Sequence, residues 1–364
     1  MTSVASKPQS SANGTAEEER RGLLGRTLRA QGAQIVLVLA VIVVIFAVLA
    51  PSKFLTPFNI RTTIQDTSIL AVLGVGMTFV IVTGGIDLSV GSVLVFSGVI
   101  ADKVMAAMGD QGWGVSIVGI IVGCLCGLGW GLLNGVLVAK AKVPPLIVTL
   151  GTLGMALGFS QIITGGVDLR DVPDVLANSV FSEIGGQLPT LTLIALVVVV
   201  IGAIILHRTR FGLYTYAVGS NAEAGRRTGV RVQRQLIKVY ALAGLTAGLA
   251  GVLNLAFFDS TTIGGQSETN LNVIAGVVIG GTSLFGGAGT IFGTVIGLFI
   301  PSVLQNGFVI LGVQSFWQQV VVGAVLIAAV YLDQYRRSAA LHGSSVQFPF
   351  LSRFGSGSRK VTPR

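Results

Sequence analysis

Ten long apolar runs, at residues 34–50, 67–83, 88–108, 113–139, 144–164, 189–206, 236–258, 270–284, 288–306 and 316–332, constrain this chain more than any motif in it. A helix needs about 20 apolar residues to cross the hydrocarbon core of a bilayer. The runs therefore predict an all-α polytopic membrane protein with about ten transmembrane helices, since only satisfied backbone crosses lipid. Composition agrees, because 52% hydrophobic residues, 11% charged residues and a mean hydropathy of +0.81 exceed what a soluble fold of 364 residues could bury. The 50 glycines, about twice ordinary usage, allow helices to approach closely. The run 270–284 is short and glycine-rich, so the count becomes nine or eleven if it is re-entrant.

Charge orients these spans. A net charge of +9 would point a soluble domain toward nucleic acid, but here the basic residues cluster at alternate span ends, so no nucleic acid is expected. Arg20, Arg21, Arg26 and Arg29 precede the first span, Lys140 and Lys142 follow the fourth, Arg208 and Arg210 the sixth, and Arg336 and Arg337 the tenth. The positive-inside rule then puts both termini in the cytoplasm and the acidic stretch from Gly165 to Gly186 outside. The expected layout is a cytoplasmic tail over 1–33, a transmembrane domain over 34–337 and a cytoplasmic tail over 338–364. The first ~16 residues and the stretch from Ser338 to Arg364 read as disordered by composition. Ile35 to Leu49 also resembles a signal-peptide core, with Ala47 to Ala50 for cleavage, but the long segment before it favours a retained anchor.

Between the second and third spans lies Thr83-Gly84-Gly85-Ile86-Asp87-Leu88-Ser89-Val90-Gly91-Ser92. A charge at membrane depth costs roughly 2.5–3.5 kcal/mol on insertion scales, so Asp87 points to function. The glycines let the backbone break, which lipid tolerates only where protein or a water-filled cavity covers the break. Asp87 also fits a local role as N-cap of a helix beginning at Leu88, and the two readings are compatible.

Other chemistry is scarce. Cys124 and Cys126 lie two apart within a helix and face different ways, so they form no CxxC site. His207 and His342 sit at a span edge and in a tail, which leaves no metal centre and no His-based catalytic set. No phosphate-binding loop of the GxxxxGK[ST] type occurs, so ATP hydrolysis by that route and any cofactor are not expected of this chain. The triplets Gly185-Gly186-Gln187 and Gly264-Gly265-Gln266 echo part of a transporter-ATPase signature but fall in expected external loops, and are read as chance.

Two short matches suggest a duplication. Gly84-Gly85-Ile86-Asp87-Leu88 matches Gly280-Gly281-Thr282-Ser283-Leu284, and Leu133-Asn134-Gly135 resembles Gln305-Asn306-Gly307. As a repeat they would set spans two to five against spans seven to ten in opposite directions, an inverted internal repeat with a solute path between halves. Otherwise they are glycine-rich helix ends alike in composition. The polar segment Arg208 to Lys238 carries seven basic residues against Glu223. Within it, Gly219-Ser220-Asn221 offers a turn and cap, Ala222 to Arg227 form a short helix, and Gly229 ends it. It is a helix laid along the membrane's inner face or a solvated basic loop held by lipid headgroups.

These blocks resemble the membrane-spanning permease subunits of bacterial ribose-type monosaccharide ABC importers, over about Pro57 to Leu332. The resemblance rests on Val82 to Gly91, on Asn134-Gly135 followed by Val143-Pro144-Pro145-Leu146-Ile147-Val148-Thr149-Leu150-Gly151, on Arg210-Phe211-Gly212 with Ala217 to Ala224, and on Val278 to Gly287. It implies a fold like that of vitamin B12 permeases, a second permease subunit, a cytoplasmic ABC ATPase and a periplasmic or lipid-anchored sugar-binding protein. It implies that a segment of about 212–234 couples to the ATPase, through Gly219, Ser220, Asn221, Ala222, Glu223, Ala224, Gly225, Arg226 and Gly229. The family usually has two alanines where this chain has Ala224 and Gly225, and often an acidic residue near Asn272 and a basic one near Ala288.

The expected activity is import of a monosaccharide, ribose-like or related, across the bacterial cytoplasmic (inner) membrane, with ATP hydrolysed on a separate chain. Gly84, Gly85, Asp87, Ser89, Asn134, Thr149, Gln305 and Asn306 are the candidate pathway or gating residues, although polar residues also bridge helices. An ion-coupled secondary transporter or facilitator is the alternative, but such proteins usually embed several acids and Asp87 is nearly alone here. A membrane enzyme lacks any acid–base or nucleophile set.

Overall fold

The computed structural model describes residues 31–184, 188–264 and 268–341. Its helices are α1 (Gln31–Leu49), α2 (Pro51–Phe54), α3 (Pro57–Val82), α4 (Val90–Met108), α5 (Trp113–Ala139), α6 (Pro145–Thr164), α7 (Asp174–Phe181), α8 (Thr190–Arg208), α9 (Arg210–Arg227), α10 (Val232–Phe258), α11 (Thr269–Ile279), α12 (Ile291–Ile310) and α13 (Ser315–Leu341). The two-residue strands β1 (Glu183–Ile184) and β2 (Leu188–Pro189) pair antiparallel before α8. The glycine–glutamine triplets lie wholly or largely outside the described residues, as do His342 and most of both expected tails.

Each of the ten apolar runs holds a helix, and among the described residues eight helices are long and apolar enough to cross a membrane. Two boundaries differ from the sequence pattern. The second span starts at Pro57, because Pro sits at the first helical position and the Thr56 hydroxyl accepts the Asn59 N–H at 3.2 Å. The polar residues Asn59 to Asp66 had hidden that first part. The eighth run splits, because α11 stops at Ile279 and a loop follows. At 1.5 Å per residue, α11 is roughly 16 Å long, about half a bilayer core.

The centre of the bundle is α3, α4 and α10, whose side chains from Ile69, Leu73, Met77, Leu94 and Leu255 form one continuous core. Around it α1, α6 and α8 expose apolar faces such as Val44, Ile147 and Ile204, as expected where lipid or another subunit is the solvent. Helix α1 is fastened by Phe46, which is buried against Phe54, Phe308 and the bare backbone of Gly307. Helices α5 and α10 pack closely along their length. A Cβ on Gly127 would lie 2.6 Å from Gly248 Cα and one on Gly131 2.9 Å from Gly244 Cα, so the two backbones touch and only glycine fits.

Helix directions correct the repeat. Helices α3 and α11 both run into loops that touch, for the Gly287 N–H donates to the Val82 carbonyl at 2.8 Å. The glycine motif therefore joins elements of like direction. Helix α12 instead leaves that end at Thr290, beside Gly280, and finishes where Asn306 meets Asn59 at the start of α3. Helix α5 arrives at the loop end, since Asn134 bonds Ser89. So the Asn134 and Asn306 motifs lie on helices of opposite direction, and one inverted repeat cannot contain both motif pairs.

Candidate functional site

The first loop begins where α3 ends, and every terminal carbonyl of α3 finds a donor. Thr83 N bonds the Phe79 and Val80 oxygens, Gly84 N bonds Ile81, Gly85 N bonds Val80 and Gly287 N bonds Val82. Gly84 makes this possible with a φ of +78°, a left-handed conformation that costs glycine nothing. The chain then turns through Asp87 into α4.

Asp87 is buried, and one carboxylate oxygen accepts both the Ser89 N–H at 2.9 Å and the Ser89 hydroxyl at 2.6 Å. The Ser89 oxygen in turn accepts from Asn134 Nδ2 at 2.9 Å, while the Thr149 hydroxyl donates to the Ile86 carbonyl at 3.2 Å. Three of the sequence-selected residues thus form one buried polar cluster drawn from the loop and α5, and Thr149 of α6 bonds the loop backbone beside it. The local reading needs correction. Helix α4 starts at Val90 with Ser89 in the cap position, and its first-turn Gly91 N–H is bonded at 2.6 Å by Asn270 of α11 rather than by Asp87. Asp87 closes a two-residue turn before the helix. The ion pairs found among the described residues, Arg61 with Glu183 and Glu223 with Arg226 and Arg227, do not include it.

The second loop, 280–290, repeats the first helix ending one residue out of the register that the motif suggests. Gly281 N bonds Val278 and Thr282 N bonds Val277, with Gly281 at φ +90°. Gly84 is therefore the counterpart of Gly281, and Asp87 does not align with Ser283. Gly286 and Gly287 follow, also left-handed, and Thr290 caps α12 by accepting the Gly293 N–H at 3.0 Å.

Helix α9 reaches this junction from the polar segment. Its first part is held to α10 by Gln235, whose Nε2 donates at 2.9 Å to the Phe211 carbonyl and the Thr215 hydroxyl. Tyr216 donates to the Gly289 carbonyl at 2.6 Å. At Asn221 the backbone turns extended, with φ −163° and ψ 100°, and its carboxamide oxygen accepts the Ala224 N–H at 2.9 Å. A new short helix starts there, as the turn-and-cap pattern predicts, and left-handed Gly229 follows its end. Ala222, Glu223, Ala224 and Arg226 face outward, while Gly225 is buried. Before the kink, Gly219 rests on the Val82 carbonyl and on Gly287, whose nitrogen a Cβ there would approach to 2.7 Å. Ser220 touches Gly287 from the same side. Both glycine loops and α9 therefore meet backbone to backbone.

Two expected pathway residues are elsewhere. Asn306 exchanges paired amide hydrogen bonds with Asn59 at 2.8 and 3.0 Å, at the opposite end of the bundle, and Gln305 beside it is exposed. Tyr216 and Tyr240 belong near the junction and Asn270 against the start of α4, but none was selected from sequence. Nothing in their local spacing marks them, because each acts through an element distant in the chain. Among the described residues no group of three or more His, Cys, Asp or Glu is placed to hold a metal ion.

Residues 59–330 match the family described as the permease component of the branched-chain amino acid transport system. That match spans most of the bundle, including both glycine loops and α9. The chain belongs to this permease family. Among curated relatives, this permease is 38% identical over 299 residues to the ribose import permease protein RbsC of Bacillus subtilis, covering 81% of this chain and 90% of that one. It is 36% identical to the fructose import permease protein FrcC of Rhizobium meliloti, over 84% of this chain and 85% of that one. It is also 36% identical to the D-allose transport system permease protein AlsC of Escherichia coli, over 82% and 90%. No solved structure matches the permease.

Proposed function

We propose that this multi-pass membrane permease is the transmembrane subunit of an ABC importer for a monosaccharide, a ribose-like pentose or a related sugar. The carrying observation is its similarity, over four-fifths of its length, to permeases named for ribose, fructose and allose. A neutral sugar suits a bundle whose buried polar groups are mostly hydroxyls and carboxamides. In this reading the protein lies in the bacterial cytoplasmic membrane with both termini inside, which makes the glycine-junction end cytoplasmic.

Two permease subunits form the path, and a periplasmic or lipid-anchored binding protein delivers the sugar. A separate cytoplasmic ATPase engages the exposed helix that Asn221 starts, with Ala222, Glu223, Ala224 and Arg226 as contacts and Gly225 and Gly229 shaping it. Gly219 and Ser220 pass its movement to the glycine loops. Gly84, Gly85 and the Asp87–Ser89–Asn134 cluster with Thr149 set the geometry of the first loop, and Asn306 acts as a helix tie. The test is uptake of D-ribose, D-fructose, D-allose and L-leucine into liposomes holding the permease, with and without an ATPase and binding protein encoded beside it. Sugar uptake that needs both partners supports the proposal; uptake by the permease alone would make it a facilitator, and uptake of leucine only would change the substrate class.

A further inference from the structure

On the flank of the bundle, α4, α5 and α6 line an open groove of about 460 Å³. Phe96 stands edge-on to Trp130 there, with ring centroids 5.6 Å apart, and Trp130 lies 6.4 Å from Phe159. No charged residue lines the groove, so it suits apolar side chains rather than a polar solute. Helix α6 borders it and carries a second feature. Gly151, Gly154 and Gly158 share a face by helical period with Ile147 and Ile162, opposite the buried side of Thr152, Ala156 and Ser160. A Cβ on any of these three glycines would meet nothing within 4 Å. Ile147 and Ile162 are 61% and 77% exposed, so the face is a notch between two projecting side chains.

How this chain uses such glycines elsewhere says what fits. Gly127 and Gly131 of α5 lie against Gly244 and Gly248 of α10, and Gly276 and Gly280 at the end of α11 lie against α12 at Gly293, Gly297 and Leu298. In both places glycines four apart let two helix backbones touch. Gly154 and Gly158 have the same spacing, yet no helix of their own subunit lies on them. Lipid tails gain little from missing side chains, whereas a second backbone gains close contact. Two copies related by an axis along the membrane normal present α6 to each other in the same direction, so the face meets itself. We propose that the α6 notch and the adjoining aromatic groove are the surface on which a second copy of this chain packs, α6 crossing α6 at Gly154 and Gly158. Met155, exposed four residues before Phe159 on the groove side of the notch, is the side chain placed to enter the groove of the other copy. The proposal rests on the two-subunit part of the import reading and gives that pair its contact face.

The test is disulfide crosslinking of the full-length permease in membranes, with Cys124 and Cys126 replaced by alanine. Gly154→Cys should give a covalent dimer on oxidation with copper phenanthroline, whereas Ile204→Cys, exposed on α8, should not. Gly154→Leu combined with Gly158→Leu fills the notch without meeting its own subunit, so thermal unfolding of the subunit should stay the same. The dimer association constant, read by energy transfer between donor- and acceptor-labelled copies in liposomes, should fall about tenfold or more. Should that double variant fail to assemble, the Gly154→Cys crosslink decides alone. No crosslink at Gly154→Cys, equal crosslinking at Ile204→Cys, or an unchanged association constant in the assembled double variant overturns the face. Labelling of the groove by a lipid with a photoreactive acyl chain, without the crosslink, makes lipid the occupant and overturns it too. Import without the crosslink leaves the importer reading standing and removes this face, whereas the crosslink without ATPase-dependent import removes the importer reading alone.

Discussion

The two glycine loops end their helices with the same hydrogen bonds and then part company. After Gly84 the first loop is filled by side chains: Asp87, Ser89 and Asn134 bond one another inside the protein, and Asn270 holds the start of α4. After Gly281 the second loop is mostly backbone, with Phe285 exposed and left-handed Gly286 and Gly287 lying against α9. One loop is fixed by a buried polar cluster whose members lose free energy if parted. The other is joined to α9 by close contacts of Gly286 and Gly287 with Gly219 and Ser220. The difference teaches that a short sequence likeness can preserve a helix ending while the role of the loop diverges.

The contrast breaks most severely at Gly219. Valine there would drive its Cβ into the Val82 carbonyl, with no flexible atom to yield, so Gly219→Val should abolish assembled permease, measured as loss of monodisperse protein on size-exclusion chromatography. Normal assembly with normal uptake would show that the seam is not tight. Next comes Ala224→Arg, which leaves both loops alone and alters only the exposed short helix. Docking to the ATPase should weaken by ~150-fold, about 3 kcal/mol from overpacking and an unpaired charge. Unchanged co-purification and unchanged sugar-stimulated ATP hydrolysis would remove the docking role.

A smaller effect separates the loops themselves. Ser89→Ala strips one bond from Asp87 and the acceptor from Asn134, costing about 1–3 kcal/mol. The loss should be read as a lower thermal unfolding temperature, and an unchanged temperature would show that the Asp87 cluster does not fix the first loop. Gly85→Val belongs in the same range, about 1–3 kcal/mol, because its Cβ meets the Tyr240 hydroxyl. The smallest change is Gly225→Ala. A Cβ there meets nothing nearer than 3.8 Å, so alanine should stabilise the short helix by about 0.5–1 kcal/mol, read as a small rise in melting temperature.

Much of this was legible from local pattern. The apolar runs, the Gly84 break and the Asn221-to-Gly229 helix follow from composition, backbone freedom and capping chemistry within a few residues of each site. The rest depends on which helix comes to lie beside which. Asn270 caps a helix 179 residues away in sequence, so no nearby spacing could reveal it. The pairing of Asn306 with Asn59, 247 residues earlier, was likewise beyond the reach of local spacing. The glycine repeat misled by one residue, because similar letters aligned where the left-handed positions do not.

That carboxamide pair also sets a schedule for synthesis. Asn59 and Asn306 are 247 residues apart, so at about 5–20 residues per second the first waits roughly 12–50 s for the second to leave the ribosome. Meanwhile Asn59 can reach the nearby Phe54 carbonyl, a bond of 2.8 Å that it keeps in the finished protein. The start of α3 thus carries its own interim partner, and the late-emerging α12 completes it.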